Sequence, residues 1–168
     1  MDPRSDVAAL ACVGRAAAAA ARSSLSRWHR SARVGRGGTV LEPVSGAFDK
    51  TIAPGEDVQA AVDACPRGGC VLLLPGLHVG SLSLRADREV AVFGRGAAFL
   101  VALNGHTLTS SAARSAVSGI CILRLGLQPG HAVLVEGGGL SLHACAAHSS
   151  GGSCVAVQSG SPSVVECG

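Results

Sequence analysis

Between Val71 and Gly94 the chain reads VLLLPGLHVGSLSLRADREVAVFG, three short apolar runs separated by turn residues, and the same alternation returns downstream. Val92, Val117, Leu140 and Val164 lie 25, 23 and 24 residues apart, while Leu84, Leu108, Val133 and Val155 lie 24, 25 and 22 apart. Between the two tracks falls a polar or glycine-rich segment each time: RADRE, TSSAARS, EGGG, QSGSPS. Self-similarity at a fixed period near two dozen residues marks stacked units, none of which can bury its own apolar side alone. The pattern predicts a mainly β solenoid whose two tracks line the interior as neighbouring rungs.

A different period precedes the first strand. In GEDVQAAVDACPRGG, Val58, Ala61, Val62 and Cys65 fall at i, i+3, i+4 and i+7, which gives a helix one apolar face. Glu56 and Asp57 suit the positive helix start, and Pro66, Gly68 and Gly69 end it. A helix placed here is expected to cover the open end of the first coil, which would otherwise expose a strand edge and core side chains. Residues 39–54, with Pro43, Gly46 and Pro54, are expected to be a linker, with room for one short strand at Thr39–Leu41. Before it, residues 1–38 form an Arg- and Ala-rich arm, helical over residues 5–33 because its alanine run has the best intrinsic helix propensity.

The run DVQAAVDACPRGGCVLLLPGLHVGSLSL, Asp57 to Leu84, resembles the opening of pectin-lyase-like right-handed parallel β-helix proteins. AVSGICI, Ala116 to Ile122, and SPSVVEC, Ser161 to Cys167, resemble the carbohydrate-binding and sugar-hydrolase repeats of that superfamily, including those of F-box proteins that carry a β-helix. The resemblance covers residues 55–168. It implies a right-handed parallel β-helix of four to five coils, with an N-terminal capping helix and a separate helical arm. In the arm, LSRWHRSA, Leu25 to Ala32, resembles the last helix of an F-box, which docks substrate receptors onto ubiquitin ligases. That likeness makes Leu25 and Trp28 candidate partner-docking residues. An organellar transit segment and a helix that packs Trp28 on the neighbouring domain are the alternatives for the arm.

Composition narrows the functional classes. Aromatic residues are 2% of the chain, so the core must be built from Val, Leu, Ile and Ala. Residues 1–38 hold seven Arg against Asp2 and Asp6, or +5; subtracting from the chain total of +3 leaves −2 for the remainder. The repeats therefore lack the clustered cations and stacking aromatics of a nucleic-acid groove. Seven cysteines, an odd number, behind a start unlike a signal peptide point to a reducing compartment, cytoplasmic or nuclear, unless the arm targets an organelle. No apolar run reaches the ~20 residues of a membrane span.

Sugar cleavage on this scaffold requires clustered carboxylates, as an acid and base pair or as calcium ligands beside a proton-abstracting base. After Asp87 the chain has no further Asp, and Glu136 and Glu166 are 30 residues apart, out of step with the repeat. Asp87 and Glu89 share a turn with Arg85 and Arg88, where local ion pairs are expected. His106 and His131 each precede a track residue by two and are expected to stack about 5 Å apart. Equivalent spacing then brings Ser153, not Cys154, into line, so no zinc set is completed. Cys121, Cys145 and Cys167 are expected to stack as small buried side chains, and Cys65 and Cys70 to remain thiols. Gly137–Gly139 and the GRG at Gly94–Gly96 are turn glycines.

These observations lead to a noncatalytic recognition module without metal or cofactor, which binds protein and, as an alternative, carbohydrate. A ubiquitin-ligase substrate receptor is its most specific form. The rival classes are a pectin-lyase-like lyase or glycoside hydrolase, and a truncated fragment without independent function. The apolar strand before Gly168 predicts an open last coil that self-associates.

Overall fold

The computed structural model describes residues 48–168, and the structural statements below refer to these residues. They form a mainly β, parallel solenoid of about five turns. The strands are β1 (Lys50–Ile52), β2 (Cys70–Leu73), β3 (Gly76–Val79), β4 (Leu82–Leu84), β5 (Ala91–Ala102), β6 (Leu108–Ser110), β7 (Ser115–Arg124), β8 (Val133–Val135), β9 (Leu140–His143), β10 (Ala146–Ser149), β11 (Val155–Val157) and β12 (Ser163–Val165). One helix, α1, spans Val58–Ala64.

A coil is three strands long. The first strands stack in the order β1, β2, the start of β5, the start of β7, β9, β12. The second strands are β3, the end of β5, the end of β7 and β10. The third strands, β4, β6, β8 and β11, form their own sheet. All of these pairings are parallel.

Both predicted tracks exist, with one substitution in each. Leu108, Val133 and Val155 are aligned, but the residue opposite Leu108 is Leu82, and Leu84 faces Ser110. Likewise Val92, Val117 and Val164 belong to one row, which passes through Leu142; Leu140 lies opposite Ser115. Leu82 and Leu84, like Leu140 and Leu142, sit two apart on one face of a strand, so all four are buried and hydrophobicity alone cannot choose between them. A bulge also shifts the period: Gly94–Ala97 of β5 stands opposite Gly119 alone.

The interior is filled by small aliphatics, among them Val71, Leu73, Leu100, Ile122 and Val135. Beside Leu100 in the same row lies His78, fully buried, whose Nε2 is 2.9 Å from the Leu74 carbonyl. The intervening positions of the second strands face the other way, and Val101, Cys121 and Leu123 make a separate cluster there with Phe99, Leu125 and Ala146. Cys121 is therefore not in line with Cys145, contrary to the spacing argument. It pairs with Ala146, so Ile120 is the residue in line with Cys145.

The helix covers the first coil as expected. Asp57 caps it by accepting the Ala60 N–H at 3.0 Å, and Val58 and Val62 are buried. Gln59 adds a contact that periodicity does not reveal: its Oε1 accepts the Ser83 N–H at 2.7 Å and its Nε2 donates to the Ser83 carbonyl at 3.3 Å. Strand β4 is the edge of its sheet, so this side chain supplies the hydrogen bonds that a further strand would make. Lys50–Ile52, inside the expected linker, pairs with β2 and extends the solenoid. The edge of β2 offered it a ladder, and Ile52 buries on Leu73.

Candidate functional site

The corner between the second and third strands is where polar side chains converge. Its loops are residues 103–107, 125–132 and 150–154 on successive coils, with glycines 105, 130 and 152 stacked so closely that no side chain fits at the latter two. A Cβ on Gly130 would lie 2.1 Å from the Gly105 carbonyl oxygen, and one on Gly152 would lie 2.3 Å from that of Gly130.

His106 and His131 stack as their spacing predicts, with ring centroids 5.1 Å apart and planes 7° from parallel. The backbone orients them. The His131 N–H donates to His106 Nδ1 at 3.0 Å, and the Ser153 N–H donates to His131 Nδ1 at 3.1 Å. Ser153 is thus the next residue in line, and Cys154 is not. An imidazole whose Nδ1 accepts carries its proton on Nε2, so each ring offers an Nε2–H donor rather than a lone pair for a metal. No group of three metal-binding side chains exists among the described residues.

Beneath these loops lies Arg124, fully buried at the end of β7. Its Nε donates to the Gly105 carbonyl at 2.5 Å and its Nη2 to the Gln128 carbonyl at 2.6 Å, while Nη1 is buried without a partner. No carboxylate among the described residues pairs with it. On the next coil Ser149 occupies the same register and its hydroxyl donates to the Gly130 carbonyl at 2.9 Å, so each of these side chains ties down the loop of the coil before. Ser150 closes the opposite side, donating through Oγ to the Gly126 carbonyl at 2.9 Å and through its N–H to the Arg124 carbonyl at 2.9 Å. The sequence signal for Arg124 is a cation inside the apolar run ICILRLGL, which periodicity arguments pass over because they score only apolar positions.

Carboxylates are scattered instead. Of the local pairs expected in that turn only Asp87 with Arg88, at 3.9 Å, forms; Glu89 meets Arg67 and Arg114 from outside it at 3.6 and 3.8 Å, and Arg85 meets Asp63 at 3.8 Å. Glu136 follows β8, whereas Glu166 follows β12 and lies 3.9 Å from His143 Nε2. They occupy different corners of the coil.

At the last coil Cys145 and Cys167 are neighbours. The Cys145 N–H is 3.4 Å from Cys167 Sγ. Contact with the Cys145 side chain, reinforced by this N–H, lowers Cys167 to about 6, and the same contact together with burial raises Cys145 well above the ordinary thiol value. Burial raises Cys65 and Cys70 and takes Cys121 to about 11. All six cysteines among the described residues are free.

Leu25 and Trp28, the candidate docking residues, lie outside the described residues, as does the Thr39–Leu41 strand. No helix among the described residues is long and apolar enough to cross a membrane. Compared with protein-family models, curated proteins and solved structures, the chain matches none.

Proposed function

We propose that the protein is a noncatalytic recognition module that binds a protein partner at the corner built from residues 103–107 and 125–132. One observation carries this reading. The carboxylates of the described residues are dispersed among turns and ion pairs, whereas unpaired hydrogen-bond donors and exposed apolar side chains gather at this corner. Leu103 is 56% exposed and Leu127 97%, and the Nε2 edges of His106 and His131 have no protein partner among the described residues. A rigid stack of hydrogen-bonded coils holds such groups in fixed positions without ordering cost on binding.

The arrangement is in keeping with a pectin-lyase-like right-handed parallel β-helix, and the Leu25 to Ala32 segment supports an F-box-like adaptor role for the arm. Binding to peptide and glycan arrays tests the module. Saturable peptide binding lost in Leu127→Asp supports it; cleavage of arrayed polygalacturonate that Glu136→Gln abolishes overturns it in favour of an enzyme. Loss of ubiquitin-ligase adaptor binding in Leu25→Ala and Trp28→Ala, with array binding intact, supports the substrate-receptor form.

Self-association is a second mode, favoured by the last coil. Among the described residues strand β12 pairs with β9 alone, and Val157, Val164 and Val165 are 51%, 49% and 44% exposed. In the 168-residue chain, Val164→Lys with Val165→Pro is expected to shift sedimentation toward monomer. An already monomeric parent rules this mode out.

A further inference from the structure

We propose that this corner binds a carboxylate group, gripped between the Nε2–H donors of His106 and His131. The inference deepens the recognition reading above and rests on it. The donors are set by the ladder itself. Because each Nδ1 is committed to the backbone N–H of the next coil, both rings are held in the tautomer that donates from Nε2, and their near-parallel stacking aims the two donors alike. At a ring spacing of 5.1 Å, two donors aimed alike each reach a different oxygen of one carboxylate that bridges in front of them.

Charge gives an independent reason. Arg124 is a buried guanidinium with no carboxylate partner among the described residues and with Nη1 unsatisfied. Its Nε and Nη2 are bonded to the carbonyls of Gly105 and Gln128, in the same loops that carry the histidines. A buried charge without a counter-ion is costly, and an anion held on the loops above it offsets that cost. The loops contain no acidic residue that could fill the role.

The same features select a carboxylate over other anions. Two neutral donors and one covered cation match a single negative charge, whereas a phosphate dianion calls for exposed Lys or Arg, which these loops lack. Leu103 and Leu127 are exposed on the same loops as the donors, so the favoured ligand carries its carboxylate on an apolar body, as an acidic residue beside an aliphatic one in a peptide does.

The test is a titration of the 15N-labelled full chain with acetate against chloride at constant ionic strength, read on the imidazole nitrogens. Saturable shifts at His106 and His131, absent at His148, are expected. The paired variant His106→Asn, His131→Asn keeps an acceptor, Oδ1, where Nδ1 stood and removes both Nε2–H groups. Acetate binding, followed on the Gly105 and Gly130 amides, should weaken by about tenfold or more with the thermal midpoint unchanged. Nonsaturable shifts shared by all histidines in the native chain would overturn the proposal, as would undiminished binding in the variant or inorganic phosphate binding more tightly than acetate. The native titration stands whether or not the variant folds. Array binding that persists when acetate fails removes the carboxylate assignment alone; loss of both removes the recognition reading as well.

Discussion

The side-chain amide of Gln59 pairs with both backbone polar groups of Ser83, and a helix thereby finishes the edge of a sheet. The donor and acceptor of one amide match the N–H and carbonyl of one strand residue, which a carboxylate cannot do. Gln59→Ala is expected to cost about 2 kcal/mol, since it leaves a partly buried N–H and carbonyl unpaired. Gln59→Glu should cost at least as much, because it still accepts from the N–H but turns a carboxylate oxygen toward the Ser83 carbonyl and toward the Asp63 carboxylate, to which Nε2 donates at 3.1 Å. Urea denaturation of the three proteins gives the order; equal midpoints would show that solvent serves the edge equally well.

The stacked glycines at the corner make a sharper contrast. Gly130→Ala places a Cβ 2.1 Å from the Gly105 carbonyl oxygen and 2.6 Å from Arg124 Nε, so the coils must separate at the point the guanidinium holds together. A loss of about 3 kcal/mol or more is expected. Gly105→Ala meets nothing within 4 Å but must adopt a φ of +63°, and should lose only about 1 kcal/mol. Thermal unfolding of both variants separates steric clash from backbone strain.

At the corner between first and second strands, Gly119 has a φ of +68°, and Ala144, on the following coil, has a φ of +51°. The bend needs the left-handed region whichever residue supplies it, and only glycine enters it freely. Ala144→Gly is therefore expected to raise stability by about 0.5 kcal/mol, the relief of strain exceeding the added freedom of the unfolded chain. Gly119→Ala should lower it, since its Cβ would also come within 3.0 Å of the Gly94 carbonyl oxygen. Denaturant midpoints of opposite sign are the check.

Cys167 provides the pH-dependent prediction. Its thiol, lowered to about 6 chiefly by contact with Cys145, is expected to ionise below neutral pH, whereas Cys121 at about 11 is not. Iodoacetamide at pH 7 should label Cys167 before Cys121 or Cys145, with a rate midpoint near pH 6. Cys145→Ala removes the side-chain contact and keeps only the backbone N–H, so the midpoint should move up toward the ordinary value. The sign for stability follows the depressed case: the contribution is complete above the unfolded thiol value and is lost as pH falls through about 6. A midpoint that Cys145→Ala leaves in place would show that the thiol contact does not set it.

Much of this architecture was decided by sequence alone. The recurrence of apolar runs near two dozen residues required stacked coils, because no single coil could bury its own face. The 3.6-residue period at Val58, Ala61, Val62 and Cys65 required a helix ahead of them. The 25-residue step from His106 to His131, which matched the step between their track residues, placed two imidazoles in register. The helix follows from spacing within one segment, and the histidine pair from each ring's fixed distance of two residues from its own track residue, both of which the chain fixes locally.

Tertiary structure decided what depends on how much chain each corner consumes. Leu82 rather than Leu84, and Leu142 rather than Leu140, entered the rows because strand residues two apart share a face and only backbone pairing selects between them. Cys121 turned outward while Cys145 turned inward because a 24-residue spacing around a corner can reverse a side chain's face. Arg124 and Gln59 found their partners among backbone carbonyls and amides of other coils. Such groups are present in every residue, so no pattern of side chains announces which of them a given guanidinium or amide will meet.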